Sequence, residues 1–446
     1  MSHDALLIVS ALGAIVVLVF LIAKGKVHPV LALTLVAVAF GGVSGMKLTA
    51  VITAFQEGIG ATLGPLSIVV GLGLMLGKLL AESGGAQVVA FRFIHMMGEK
   101  RLPLAMMLVA LIVGVPVLFT VGLVLLVPVI YAIARETKSP LLRIALPAMA
   151  GLSVAQGLLP PHPGPMLAIT NIGADVGKTI LYGFIVGLPT AVVAGPVLAY
   201  FLGNRVQVVA GELSAAPPVR PARLSPPGFG LTLVTILLPI LLMLQATAAE
   251  LLLPKDNPWR TALDFVGSPL VAMLLAVLLA LWSFGFARGF SAPQVLGLLE
   301  QSLAPAGGIL LIVGAGGGLS RVLRESGLGD IIGAQVKQAH VSPILLGWLV
   351  AAAVRLAVGS ATVAIILASA ILKPVVGLDP TINRELLVLA MGAGSLFCSH
   401  VNDSGFWFVK ENFKLTVPQT FKTWTILETS IGLVGLLLTL LLSRFV

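Results

Sequence analysis

Charge is what this chain has least of. Asp, Glu, Lys and Arg together make up 10% of its 446 residues, against 58% hydrophobic residues. A soluble domain carries about 25% charged residues, so a water-exposed globular surface is excluded. Cysteine is nearly missing as well: Cys398 stands alone, which rules out an intrachain disulfide. There is no Cys/His spacing suited to a metal and no nucleophile elbow, so a membrane-embedded enzyme lacks its sequence features. The paired glycines Gly71-x-Gly73 and Gly314-x-Gly316 follow no strand and lead into no Gly-Lys-Ser/Thr. They are read as close helix packing, not as phosphate loops. With no ATP-hydrolysing domain, any pumping must draw on an ion gradient. Net charge is +9, but the basic residues sit singly in short loops, a signature of membrane topology and not of nucleic-acid binding.

What the chain has instead is apolar runs, recurring along its whole length and each about 20 residues long, enough to span a bilayer core. The first, Ala5–Ala23, lacks a basic leader and is followed by Lys24-Gly25-Lys26, so it reads as a crossing and not as a cleaved signal peptide. The expected fold class is an all-α polytopic membrane protein.

One motif occurs twice. Residues 71–84 read GLGLMLGKLLAESG and residues 314–327 read GAGGGLSRVLRESG, an offset of 243. At nearly the same offset Thr120 meets Ser360, and Gly151-Leu152-Ser153 meets Gly392-Ala393-Gly394. His162-Pro163-Gly164 likewise meets Asp403-Ser404-Gly405, and Asn171 meets Asn412. Such duplication is how many carriers are built. The first half, 1–202, is parsed as crossings at 4–23 and 28–45, an amphipathic stretch at 48–62 and a crossing at 64–82. A re-entrant hairpin follows within 102–135, broken at Gly114, Pro116, Thr120 and Gly122. Then come a crossing at 141–175 interrupted at Pro160–Pro165 and a last one at 179–202. A polar, Pro-rich linker covers 203–228. The second half, 229–446, repeats the order with crossings at 230–253 and 268–287, an interfacial stretch at 291–303 and a crossing at 304–323. It ends with a hairpin at 343–374, a broken crossing at 385–413 and a last crossing at 419–443. Five crossings per half, an odd number, make the second half an inverted repeat of the first. Lys24, Lys26, Arg92, Lys100, Arg101, Arg135, Lys138 and Arg143 then lie inside and both termini lie on the periplasmic side.

Broken helices in a bilayer leave backbone N–H and C=O groups without water, so they persist only inside protein or beside a wet cavity. Four breaks stand out: the two hairpin tips, PPHPGP (160–165) and HVNDSG (400–405). Helix N-termini at such breaks favour an anion. Arg355 lies in an apolar stretch with no acid near it in sequence, where a charge costs at least about 2.5–3.5 kcal/mol on insertion scales. It is either a structural charge, snorkelling or paired with a carboxylate, or a fixed cation offering a substrate carboxylate a bidentate fork. Asp403 either caps the following helix or carries a proton, a role also open to His400. Asn402 is a candidate for substrate hydroxyls. His162 is a hydrogen-bonded loop residue or, as the repeat mate of Asp403, a ligand or proton carrier. Glu428, inside the last crossing, is a proton relay, a partner of Arg355 or an acceptor of threonine hydroxyls. Glu82 and Glu325 read as i,i+4 partners of Lys78 and Arg321.

The segments GLGLMLGKLLAESGGA (71–86), LLPPHPGPMLAI (158–169), VRLAVGSATVAIILASAIL (354–372) and SHVNDSGFWFVKENFKLTVPQTFKTWTILETSIGLVGL (399–436) resemble the gluconate permease family of bacterial proton symporters. That family belongs to the wider ion-transporter group of secondary carriers, and the resemblance spans nearly the whole chain. It implies a non-enzymatic carrier of the bacterial inner membrane importing gluconate or a related sugar acid with a proton. D-Serine or another small hydroxy acid is the alternative substrate, and sodium the alternative coupling ion. It further implies a homodimer, a moving part holding two re-entrant hairpins, no cofactor and no nucleic-acid partner. Gly359, Ser360 and Thr362 fit the small-hydroxyl tip such carriers place around a carboxylate. The first tip, Phe119-Thr120-Val121-Gly122, is greasier. The expected substrate site is Arg355, Gly359, Ser360 and Thr362 with Thr120, His162, Asn402 and Asp403. Asp403, His400, His162 and Glu428 are the proton candidates.

Overall fold

In a computed structural model, residues 3–203, 206, 225–304, 306–327, 342–378 and 381–446 are described. Most of the 203–228 linker lies outside them, as does the structure around Ser2. Among the described residues every regular element is helical, and eight helices are long and apolar enough to cross a membrane.

The first half begins with α1 (His3–Ala23), α2 (Pro29–Val43) and α3 (Leu48–Glu82). Here the structure corrects the parsing. The amphipathic stretch at 48–62 and the crossing at 64–82 are one 35-residue helix that runs through Pro65. A proline costs a helix one hydrogen bond and a clash, and packing of α3 along the second half outweighs that cost. A further helix, α4 (Gly85–Met97), carries Arg92 on its exposed side, where the sequence reading had a loop. Then come α5 (Leu102–Gly114) and α6 (Phe119–Glu136). The turn between them is Val115–Leu118, centred on Pro116. Thr120 and Gly122, expected to break the helix, lie inside the first turns of α6. Next are α7 (Leu141–Leu158), α8 (Pro163–Ile172) and α9 (Val176–Leu202).

The second half holds α10 (Phe229–Leu252), the short amphipathic α11 (Pro258–Gly267), α12 (Pro269–Arg288), α13 (Ala292–Leu303) and α14 (Ala306–Glu325). The hairpin arms are α15 (Pro343–Val358) and α16 (Ala361–Leu378). The chain closes with α17 (Arg384–Leu396), α18 (Ser404–Asn412) and α19 (Val417–Leu442). Helix α11 was not foreseen. Its ten residues are too few to span a bilayer and too amphipathic to stand out as an apolar run.

Position in the bundle differs sharply between elements. The broken pair α7–α8 has 89% of its apolar window inside the protein, whereas α3 has 33%. The first break therefore lies inside the protein, as unpaired backbone requires, while at the second Asp403 and Gly405 are buried and Val401, Asn402 and Ser404 are exposed. Arms α5 and α15 lie along α7 and α17 respectively. Both contacts are backbone-close: a Cβ on Gly151 would run into the Met107 carbonyl, and one on Gly394 into that of Trp348. The other arms cross over between halves. Helix α8 packs on α16, and α18 packs on α6, where the Tyr131 hydroxyl donates to the Asn412 carbonyl at 3.0 Å. On the Gly-x-Gly helices the closest approaches fall on other glycines than the pairs read from sequence, and Gly71 and Gly73 face the Leu303 and Met273 side chains at ordinary contact distance. Helix α3 meets α14 at Gly58, Thr62 and Gly317, and Gly77 sits beneath the Pro116 carbonyl of the first turn.

Candidate functional site

The sharpest site lies where the α15–α16 tip meets the break between α17 and α18. Gly359 ends α15 with φ +81°, a conformation glycine adopts freely. A Cβ there would strike the Asn402 carbonyl, so the tip and the break touch backbone to backbone. The Asn402 side chain donates to the Leu356 carbonyl at 2.7 Å, which fastens the two segments from the other side.

Arg355 is 2% exposed, and Asp403 is 7% exposed. Their pairing, Arg355 Nη2 to Asp403 Oδ2 at 2.5 Å, joins the two residues that the sequence left 48 apart with separate roles. A charge buried in a membrane protein is tolerated when it is paired, so Asp403 explains why Arg355 can sit there. Arg355 Nη1 also donates to the Gly359 carbonyl, while its Nε–H is buried without a partner. Asp403 divides its oxygens. Oδ1 caps α18 by accepting from Gly405 N at 2.8 Å, and Oδ2 takes both Arg355 and the Ser399 hydroxyl. Capping, one of the roles read from sequence, is present, and charge pairing, not read there for Asp403, accompanies it. Ser360 accepts from Val363 N at 3.4 Å as α16 begins, with Thr362 half-buried beside it.

Three predicted residues take other surroundings. Glu428, 1% exposed on α19, accepts from the Ser153 hydroxyl of α7 at 2.5 Å and so bridges the two halves. The expected threonine partners do not hold it. It lies within electrostatic range of Arg355 and Asp403 but is not their contact partner. The His400 ring meets the Cys398 carbonyl through Nδ1 at 2.9 Å. His162 sits at the other break, 2% exposed, with both ring nitrogens unpartnered. It lines a narrow crevice with Gly73, Val115, Pro116, Leu118 and Pro163, so the first turn and PPHPGP do come together. The hydrogen-bonded loop histidine expected from sequence is not what forms. Thr120, half-buried, begins α6 next to that turn. The ion pairs Lys78–Glu82 (2.8 Å) and Arg321–Glu325 (2.7 Å) form as read, and Arg321 also reaches Glu57.

Ser399, Trp424 and Ser153 were missed. Trp424 Nε1 donates to Ser399 Oγ at 2.7 Å, behind the Ser399–Asp403 contact. A tryptophan deep in an apolar span signals a need for an N–H acceptor, but nothing in sequence says which acceptor.

These contacts frame a buried cation with a spare donor at a broken-helix tip, matched by a second break holding an unsatisfied imidazole. The whole chain carries this plan. Residues 5–445 match the family model described as GntP family permease. The chain belongs to that family. It is 49% identical over 444 residues to a gluconate permease of Pseudomonas aeruginosa, covering 99% of each chain. It is 41% identical to a high-affinity gluconate transporter of Escherichia coli, over 99% of this chain and 100% of that one. Its fold resembles the crystal structure of the Alcanivorax borkumensis YdaH transporter, described as having an unusual topology. The TM-score is 0.66 at 17% identity, covering 94% of this chain and 99% of that one. A GntP family permease is a transporter and not an enzyme, and the apolar helices make it a multi-pass membrane protein.

Proposed function

We propose that this permease imports gluconate or a related sugar acid by proton symport across the bacterial inner membrane, as a homodimer with inverted halves and both termini periplasmic. The observation that carries the reading is the buried Arg355–Asp403 pair at a helix break. A sugar acid brings one carboxylate and a chain of hydroxyls. Its carboxylate takes the place of Asp403 on Arg355, using the free Nε–H with an Nη donor as a fork. Two carboxylates cannot both stay ionised around one guanidinium at that depth, so Asp403 takes up a proton as the substrate binds. One proton with one carboxylate leaves the net charge of the site unchanged, and the loaded and empty carrier cross the membrane with the same charge. Gly359, Ser360, Thr362 and the α16 N-terminus surround the carboxylate. Asn402, Thr120 and His162 meet hydroxyls, and the unpaired nitrogens of His162 are held for such a ligand. His400 and Glu428 are secondary proton acceptors.

Uptake of labelled sugar acids into proteoliposomes tests this, with inward proton and sodium gradients imposed separately. Gluconate should accumulate under the proton gradient alone and respond little to membrane potential. Accumulation driven by sodium would overturn the proton reading.

A further inference from the structure

We propose that Ser399 and Trp424 are positioning residues for Asp403: a donor relay that fixes how its carboxylate can hold a proton and ties it to the turn of the first hairpin. The proposal rests on Asp403 being the proton carrier. Ser399 is 1% exposed, and its hydroxyl donates to Asp403 Oδ2. A hydroxyl has one proton to give and two lone pairs that can accept. It accepts from Trp424 Nε1 at 2.7 Å. An indole N–H only donates, so both bonds run one way, from Trp424 to Ser399 to Asp403. While Ser399 donates to Oδ2 it is not an acceptor for Asp403, and the Trp424 bond holds it in that orientation. With Ser399 donating, a proton arriving on Oδ2 points away from Ser399, toward the side where Arg355 lies and the substrate carboxylate would bind.

The relay is firmly seated. Thr425 Oγ1 donates to the Ser399 carbonyl at 2.5 Å, and Trp424 lies on a π turn of α19, Phe421–Thr425. Such extra-residue turns re-aim side chains and are frequent at functional sites. On its other side the indole packs on Phe119, with ring centroids 5.0 Å apart, at the start of α6. Phe119 N in turn donates to Gln156 of α7 at 3.3 Å. Movement of the first hairpin is thereby felt at the proton site. The charged groups facing Asp403 are Arg355 on α15 and Glu428 on α19. His400 on its own turn is held by the Cys398 carbonyl. Lys410 and Glu411 on α18 pair with each other at 2.7 Å, and Lys422 on α19 is exposed. None of these supplies the neutral donor that Ser399 supplies.

The test is proton-driven uptake in proteoliposomes across external pH, for wild type, Ser399→Ala, Ser399→Thr, Trp424→Phe and Asp403→Asn, at matched membrane insertion. Ser399→Ala removes a hydrogen bond that only the charged carboxylate receives in this geometry. The pH of half-maximal uptake should rise by about one unit. Trp424→Phe retains the ring beside Phe119 but frees the hydroxyl, and should shift the curve the same way by less. Ser399→Thr, which keeps the donor, should restore the wild-type midpoint. Unmoved midpoints in Ser399→Ala and Trp424→Phe, with uptake merely scaled down, would overturn the relay. Asp403→Asn separates the two failures. If it has lost its pH dependence while the relay variants are unmoved, only the relay falls. If it keeps wild-type pH dependence, the proton reading falls and the relay with it. Should Ser399→Ala fail to insert, Trp424→Phe decides alone.

Discussion

The two helix breaks are repeat mates in sequence and opposites in chemistry. At HVNDSG the buried carboxylate has partners on both oxygens: Arg355, Ser399 and the Gly405 amide. At PPHPGP the buried imidazole has none on either nitrogen, and its neighbours Val115, Pro116 and Leu118 are apolar. A buried polar atom left unpaired costs roughly 1–3 kcal/mol; at the first break these atoms are both imidazole nitrogens, at the second the Nε–H of Arg355. The side chains make one corner a charge pair and leave the other an imidazole with no protein partner. That asymmetry suits a ligand with a charged head and a hydroxylated tail.

The largest expected effect comes from unbalancing the charged break. Arg355→Ala strands Asp403 as an unpaired buried acid, and losing one member of such a pair costs about 2–5 kcal/mol. Uptake should be abolished, and Arg355→Lys should lose most affinity because a point charge cannot reproduce the fork. In the Arg355→Ala/Asp403→Asn double variant, thermal stability in detergent should recover while transport does not. Near-normal uptake by the single alanine variant would dismiss Arg355 as the counter-charge.

Neutralising only the acid should act more selectively. Asp403→Asn mimics the protonated form and should still exchange substrate across the membrane, yet fail to concentrate it under an imposed proton gradient. Equal accumulation ratios for variant and wild type would move the proton to His400, His162 or Glu428.

A milder effect is expected at the uncharged break. His162→Ala removes one hydrogen bond to a substrate hydroxyl, so KM for uptake should rise about 3- to 10-fold while the accumulation ratio holds. Loss of coupling instead of affinity would erase the contrast between the breaks. At the tip itself, Gly359→Ala forces a Cβ into a left-handed residue, at about 1–2 kcal/mol, and against the Asn402 carbonyl. Its melting midpoint should fall measurably, and an unchanged midpoint would show that the tip and HVNDSG are not locked together.

Much of this was legible before any coordinates. Apolar run length gave the polytopic class, and punctuation by Pro and Gly located α7–α8, α15–α16 and α17–α18 within a few residues. Continuity of α3 was not legible, because Pro65 and the polar residues before it look like a boundary unless their packing partner α14 is known. The first tip was misplaced for a related reason. Thr120 and Gly122 resemble breakers locally, but both fit the first turns of α6, and the chain turns instead at Val115–Leu118, around Pro116.

The sequence by itself determined that the chain lives in a membrane, and it marked Arg355, Asp403 and His162 as polar groups whose placement there is costly. Composition and local periodicity suffice for such conclusions because the bilayer penalises each polar group separately. Only the tertiary structure decided which costly groups meet. It put Arg355 on Asp403, Glu428 on Ser153, Trp424 on Ser399, and nothing on His162. Pairing across 48 or 275 residues depends on how α15 and α17, or α7 and α19, pack, and a sequence pattern that repeats every few residues holds no record of that.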